Sequence, residues 1–370
     1  MTEYPGKHSG PSIPLMSYQR DFDRRLRVGL VGVGSHAYRN ILPALHYLPV
    51  QLKALCDLNL PLAQRTAEEY GRVNCYASLT DMLRNEELDA VLLCVSPVAH
   101  PVLACEALTA GLHVWMEKPA AVSLAGVESM MAARGDRVVT VGYKKAFMPA
   151  VAKFREILAL PAHQPLRTLL AQYAVTVPKD GATILRERRP NNWLNNGCHP
   201  LAFLLAIGGP IAAVTVHHGK GDDSVVVLEF ASGVVGTLHG AMGTGNSQPV
   251  EVFTAFAEGA ILTVDNSSRV TYQRGIPFVY SKSTTYAPPG LEHGAIVWAP
   301  QNCLATLENN PLFTQGMYGS LRAFCDQALG GPRIHDGSLE FAHQLTAVYE
   351  AALLSAGKRQ PVVSHKPGQP

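Results

Sequence analysis

Between Leu26 and Tyr143, short apolar runs alternate with amphipathic stretches. The runs fall at 27–33, 52–57, 89–96, 113–117 and 138–143. Helical spacing fills the gaps at 37–48, 61–70, 79–85, 99–110 and 123–134. A strand that is apolar throughout has both faces buried, so this order predicts βαβ units around a parallel sheet. After Ala150 the pattern changes. A helix at 149–159 precedes strands at 166–177, 211–217, 224–230, 233–241, 250–256 and 260–264, several closed by turns such as Ser232-Gly233 and Glu258-Gly259. Strands in close succession, joined by glycine turns, predict a mostly antiparallel sheet. Residues 265–312 are rich in Pro, Gly, Ser and Asn and read as loops with short strands; 316–329 and 338–356 read as helices.

Composition narrows the class. The chain has 370 residues, 47% of them hydrophobic and 16% charged, with a net charge of +2. That length suits two domains, and that charge gives no global attraction to nucleic acid or to an anionic membrane. No run approaches the roughly 18 apolar residues of a membrane helix, and the first residues lack a signal-like apolar core. The cysteines, at 56, 75, 94, 105, 198, 303 and 325, form no CxxC pair. They predict neither disulfides nor a zinc site, and the expected compartment is the reducing cytoplasm. The histidine pair His217-His218 and His239 have no ligand-spaced partners, so no metal is expected.

The first candidate chemistry lies between the first strand and the first helix. Gly32-Val33-Gly34-Ser35-His36-Ala37 fits G-x-G-x-x-G/A, and Asp57 closes the next strand 25 residues after Gly32. The pattern alone is common among 32 glycines; its place in a strand–turn–helix unit is what points to a dinucleotide. Gly32 permits the tight turn and Gly34 lets a pyrophosphate approach, with Ser35 and His36 beside it. Ala37 is small enough for the helix to pack on the strand. Asp57 can accept from the ribose hydroxyls and would repel a 2′-phosphate, so NAD is expected over NADP. The fold class expected is α/β: an N-terminal Rossmann domain at 25–147, and a C-terminal α/β domain at 148–358 with a large, mostly antiparallel open sheet. Residues 1–24 and 359–370 read as tails.

Ser96-Pro97-Val98-Ala99-His100 follows the third predicted strand and Glu117-Lys118-Pro119 the fourth. With the glycine turn, these motifs resemble the Gfo/Idh/MocA family of oxidoreductases over roughly residues 26–356. The resemblance implies that Ser96, Pro97, His100 and Glu117 lie along the cofactor and that Lys118 lies near both nicotinamide and substrate. A lysine beside the cofactor can accept the proton released when an alcohol loses hydride, more readily where burial lowers its pKa. The other reading of Lys118 is a surface lysine after a strand. Its place at the carboxyl end of a parallel strand favours the first.

The segment Val141 to Pro149 resembles the family's link between domains, with Lys144 and Lys145 or Ala146 where an Asn and an Arg often stand. Tyr143 reads either as a nicotinamide-side contact or as a core aromatic. Family members carry Asp-x-x-x-His in the second domain; here Asn195-Asn196-Gly197-Cys198-His199 keeps the histidine and replaces the acid. Asn195 can hydrogen-bond His199 but cannot support it with charge. His199 reads as a base, a substrate hydrogen-bond donor or a core histidine. Pro200 is expected in the first turn of a helix over 201–207. Arg186, Arg188 and Arg189, with Lys144 and Lys145, could form an anion-binding wall.

Three functions fit these residues. The first is NAD(H)-dependent oxidation or reduction of a secondary alcohol or ketone on a sugar, cyclitol or sugar derivative, with Lys118, His199 and Asn195 at the chemistry and Lys144 at the substrate. The second is glycoside cleavage through transient oxidation. The third is a non-catalytic dinucleotide sensor, which loss of the acid at Asn195 would suit. The family further implies a homodimer or homotetramer assembled through the C-terminal sheet.

Overall fold

The computed structural model describes residues 22–221, 223–240, 251–285, 287, 289–301 and 309–363. Most of the expected N-terminal tail, the final residues from 364, Cys303, and the strand-end positions 241 and 250 lie outside the described residues.

Six parallel strands form the first sheet: β1 (Leu26–Val31), β2 (Val50–Cys56), β3 (Asn74–Tyr76), β4 (Ala90–Leu93), β5 (His113–Met116) and β6 (Val139–Val141). Their spatial order is β3-β2-β1-β4-β5-β6, which reverses direction between β1 and β4. Such a switch point opens a crevice at the carboxyl ends of the strands. The helices α1 (Leu60–Glu69), α2 (Leu79–Asn85), α3 (His100–Thr109) and α4 (Leu124–Ala133) fall within a residue of their sequence-based bounds. Strand β3 has only three residues, too few to register as an apolar run.

The helix expected over 37–48 is not one α-helix. It is a π-helical turn, Ala37–Ile41, followed by a 3₁₀ turn, Pro43–Tyr47. Pro43 has no N–H to continue the ladder, and its ring crowds the preceding turn. The positive helix end expected beneath a pyrophosphate is correspondingly short.

The second sheet has nine strands in the order β14-β13-β12-β11-β7-β10-β9-β8-β15. These are β7 (Leu166–Tyr173), β8 (Ile211–His218), β9 (Ser224–Phe230), β10 (Val235–Gly240), β11 (Glu251–Ala257), β12 (Ala260–Asp265), β13 (Arg269–Arg274), β14 (Gly294–Trp298) and β15 (Gln360–Pro361). All pairings are antiparallel except β10 with β7. Strand β15 adds a last edge from residues expected to be tail.

Among the described residues six further α-helices follow: α5 (Pro149–Leu158), α6 (Gly181–Glu187), α7 (Asn192–Gly208), α8 (Pro311–Thr314), α9 (Met317–Ala328) and α10 (Leu339–Ser355). Helix α6 is a correction to the charge run read at 185–189. Gly181 is required there, because a Cβ would stand 2.1 Å from the Leu353 carbonyl oxygen of α10. Helix α7 starts seven residues before His199, not after it. The Asn191 side chain accepts from Leu194 N–H and nucleates it. Pro200 therefore lies inside the helix rather than in its first turn.

Helix α9 belongs by sequence to the second half but packs on the first sheet. Phe313, Met317, Tyr318, Leu321 and Phe324 share a core with Val28, Leu30 and Trp115. Trp115 Nε1–H donates to Ser320 Oγ at 3.1 Å. This return of the chain ties the linker residues at 144–147 between both sheets.

Candidate active site

The glycine turn is built by close backbone approach. Gly32 has φ +86°, its N–H donates to Cys56 O, and a Cβ there would lie 2.4 Å from Cys94 O. Only glycine combines that φ with that neighbour. Gly34 differs: a Cβ on it would meet no described atom within 4 Å. The space above the turn is open where a dinucleotide's pyrophosphate would lie. Asp57 leaves the end of β2 with both carboxylate oxygens engaged, accepting from Val33 N–H at 2.9 Å and Asn59 N–H at 2.8 Å. The carboxylate is thus fixed beside the turn, and the residues fit an NAD adenosine half.

Across the crevice, Glu117 and Lys118 follow β5. Glu117 is buried and accepts from His36 Nε2–H at 2.9 Å. Asn40 Nδ2–H donates to His36 Nδ1 at 3.3 Å, so the neutral Nε2–H tautomer satisfies both contacts. The glycine turn and the Lys118 strand end are therefore stitched together. Ser96 is exposed at the mouth of this crevice, and its hydroxyl accepts from Val98 N–H at 3.3 Å. The Lys118–Pro119 peptide is cis.

Lys118 reaches into the second domain. Its ammonium donates to the Asn195 backbone carbonyl at 2.9 Å. Asn195 lies in the first turn of α7, and the same carbonyl accepts from Cys198 Sγ–H at 3.4 Å. Asn195 thus serves the site through its main chain, and the hydrogen bond expected from its side chain to His199 is not formed. His199 is buried, and its Nδ1 has no partner among the described residues. Burial, followed by the charges of Lys118, Lys144 and Lys145, pushes its pKa well below the ordinary value. The imidazole is therefore neutral and can exchange only hydrogen bonds, not act as a cation.

Hydrogen bonds join His36, Glu117, Lys118 and Asn195 with His199 close by, and Asp57 is fixed beside the Gly32 turn; Gly34, Ser35, Ser96 and Pro97 lie on the loops at the carboxyl ends of β1 and β4. The structure corrects two expected contact residues. His100 has no exposed surface, and its Nδ1–H donates to Pro119 O at 3.0 Å. Tyr143 is 1% exposed; its hydroxyl accepts from Ala120 N–H at 3.4 Å and its ring packs on Phe341. Both hold the loop after Lys118 from behind. Cys198, buried with its pKa pushed up to about 11, is an inert thiol.

The anion wall does not assemble as expected. Lys145 is 2% exposed and donates to both Glu251 oxygens, at 2.5 and 2.7 Å, and to Ser267 Oγ at 2.5 Å. Arg189 is held by Asp180 at 2.8 Å, and Arg186 and Arg188 stand exposed at the end of α6. Lys144 alone keeps the expected character. It donates to Gln315 Oε1 at 2.7 Å, and burial with the nearby Lys145 and Lys118 charges lowers its pKa to about 8.

Sequence reasoning missed Tyr173, whose ring lies 6.1 Å from that of His199, and the Glu251–Ser267 pair. Glu251 is set opposite Tyr173 by the β11–β7 register. Nothing local marks a carboxylate brought beside Lys145 from 106 residues away. The only internal hint was a glutamate starting an otherwise apolar strand.

A reversed parallel sheet, a glycine turn, a fixed acid on the second strand and a lysine facing a second domain define a nicotinamide-dinucleotide oxidoreductase. Residues 26–143 match the model of the Gfo/Idh/MocA oxidoreductase family with an NAD-binding Rossmann fold. Among similar proteins, inositol 2-dehydrogenase 4 of Saccharopolyspora erythraea is 28% identical over 281 residues, 68% of this chain and 78% of that one. Inositol 2-dehydrogenase of Salmonella paratyphi B is 25% identical over 222 residues, 56% of this chain and 65% of that one. The levoglucosan dehydrogenase structure with NADH and L-sorbose superposes with a TM-score of 0.73 at 17% identity, over 92% of this chain and 100% of that chain. No helix among the described residues is long and apolar enough to cross a membrane.

Proposed function

We propose that this oxidoreductase moves a hydride between NAD(H) and a secondary alcohol or ketone of a sugar, cyclitol or sugar derivative, with Lys118 transferring the proton. The observation that carries the reading is the Lys118 ammonium, which leaves the dinucleotide crevice and reaches Asn195 O beside neutral His199. The inositol and levoglucosan dehydrogenases it resembles support the substrate class. Gly32, Gly34 and Ser35 would cradle the pyrophosphate, Asp57 the adenosine ribose, and Ser96, Pro97 and Glu117 the nicotinamide half. NAD supplies the hydride chemistry.

Lys118 exchanges its carbonyl partner for the substrate oxygen and, as the unprotonated amine, takes the hydroxyl proton while the hydride leaves to NAD; in the reverse direction the ammonium returns that proton. His199, kept uncharged, orients the same hydroxyl without competing for the positive charge. Glu117, locked to His36, keeps the Lys118 backbone fixed. The open face of the second sheet carries half-buried Leu170, Val225, Val227 and Phe256, and we assign self-association to it. Sedimentation of the purified chain checks that assignment.

NADH formation from NAD with a panel of cyclitols and sugars tests the reaction. Lys118→Ala is expected to lower kcat by about a hundredfold or more, in line with loss of a general base. Turnover that survives Lys118→Ala unchanged refutes the role, and a panel without any NADH formation or consumption refutes the reaction.

A further inference from the structure

A cavity of about 180 Å³ lies beside the segment that follows the glycine turn, lined by Arg39, Asn40, Asn310, Lys144, Gln315 and Met317 among others. It draws residues from the glycine-turn segment, the interdomain linker and the loop before α9. A chain of hydrogen bonds runs from its Asn40 through His36 and Glu117 to the Lys118 backbone N–H. Two of its walls are cations. Among the described residues no carboxylate lies within ion-pair distance of Arg39 or Lys144, although sixteen other such contacts occur, including one for neighbouring Lys145. Lys144 is half-buried, with a neutral amide, Gln315, as its partner. A half-buried ammonium without a counter-charge is costly unless an anion completes it. Arg39 and Lys144 present that charge, and the amides of Asn40, Asn310 and Gln315 offer hydrogen bonds to the hydroxyls beside it. Met317 and Pro311 provide an apolar wall for the carbon skeleton.

We propose that this cavity is an acid-group subsite, holding the carboxylate or phosphate of an anionic sugar derivative while Lys118 meets its reacting hydroxyl. The proposal rests on the dehydrogenase reading for the sugar, and on Arg39 and Lys144 for the anion. Calorimetric titration of NAD-saturated protein with glucuronate, glucose 6-phosphate and glucose tests it. One of the two anions is expected to bind at least about tenfold more tightly than glucose, the scale of one charge-assisted hydrogen bond. Whichever anion wins identifies the group. Arg39→Gln and Lys144→Gln should each lose most of that preference, and Lys144→Arg, which keeps the charge, should retain it. If Lys144→Gln does not fold, exposed Arg39 and the Lys144→Arg variant carry the test.

Equal binding of glucose and both anions overturns the proposal. So does a preference untouched by Arg39→Gln. Weaker NAD binding in these variants, with the sugar order unchanged, would assign the cavity to the cofactor and also overturn it. Anion binding without NADH formation from any sugar refutes the reaction and leaves the subsite standing. Turnover of a neutral cyclitol with no anion preference does the reverse.

Discussion

Glu251→Gln removes the one carboxylate that pairs with Lys145 among the described residues, and the cost can be worked from the site. The Lys145 side chain is 3% exposed and that of Glu251 is 14% exposed, so solvent screens the pair little. Losing one partner of a buried pair generally costs about 3–5 kcal/mol. Lys145 has an escape, since it can shed its proton. From an ordinary value of 10.5, that costs close to about 5 kcal/mol at pH 7 and about 2 kcal/mol at pH 9. The escape caps the penalty, so the destabilisation must shrink as pH rises. With an unfolding entropy of about 2.1 cal/mol/K per residue, the melting temperature should fall by about 4–6 K at pH 7 and by no more than about 3 K at pH 9. Scanning calorimetry of wild type and variant at both pH values measures this. Lys145→Gln combined with Glu251→Gln leaves two amides and Ser267 to bond one another, and should recover most of the loss. A fall below about 1 K at pH 7, or a fall as large at pH 9 as at pH 7, refutes the picture of Lys145 as a buried charge held by Glu251.

The two turn glycines should separate stability from binding. Gly32→Ala meets Cys94 O and a disfavoured φ, so it should destabilise the protein by more than about 2 kcal/mol. Gly34→Ala meets nothing, so its melting temperature without cofactor should match wild type while NAD affinity drops about tenfold or more; equal NAD affinity would argue against the cradle. Asp57→Asn gives up the negative charge beside the turn, and fluorescence titration should find the preference for NAD over NADP reduced. An unchanged ratio would remove Asp57 from cofactor choice. Anion affinity in the Lys144 cavity should be full below pH 8 and fall as pH rises through about 8, where Lys144 loses its proton. Burial first, then the Lys145 and Lys118 charges, drive that value down, while Glu117 and Glu251 oppose them. Lys144→Arg should flatten the profile, and an equal fall in that variant would assign the titration elsewhere. The same depression means that the unfolded chain binds more protons than the folded one between about 8 and 10.5. This lysine's contribution to stability therefore rises with pH across that window.

The amino-acid sequence by itself determined the first domain. Apolar runs set the strands, their helical spacers forced parallel pairing, and Gly32, Gly34 and Asp57 lie within one βαβ unit, so local order suffices to place them. The same holds for Lys118, which follows directly from the end of β5. Only the tertiary structure decided what stands opposite. Pro43 turned an expected helix into two short turns, and α7 began early because Asn191 capped it. Asn195 entered the site through a carbonyl rather than a side chain. His100 and Tyr143 proved to be buried supports, and Lys145 was claimed by Glu251 from a strand that starts 106 residues later. The physical reason is that burial and charge pairing are sums over neighbours from both sheets. The spacing of residues along the chain contains the neighbours of a glycine turn, but not those of a lysine held between two domains.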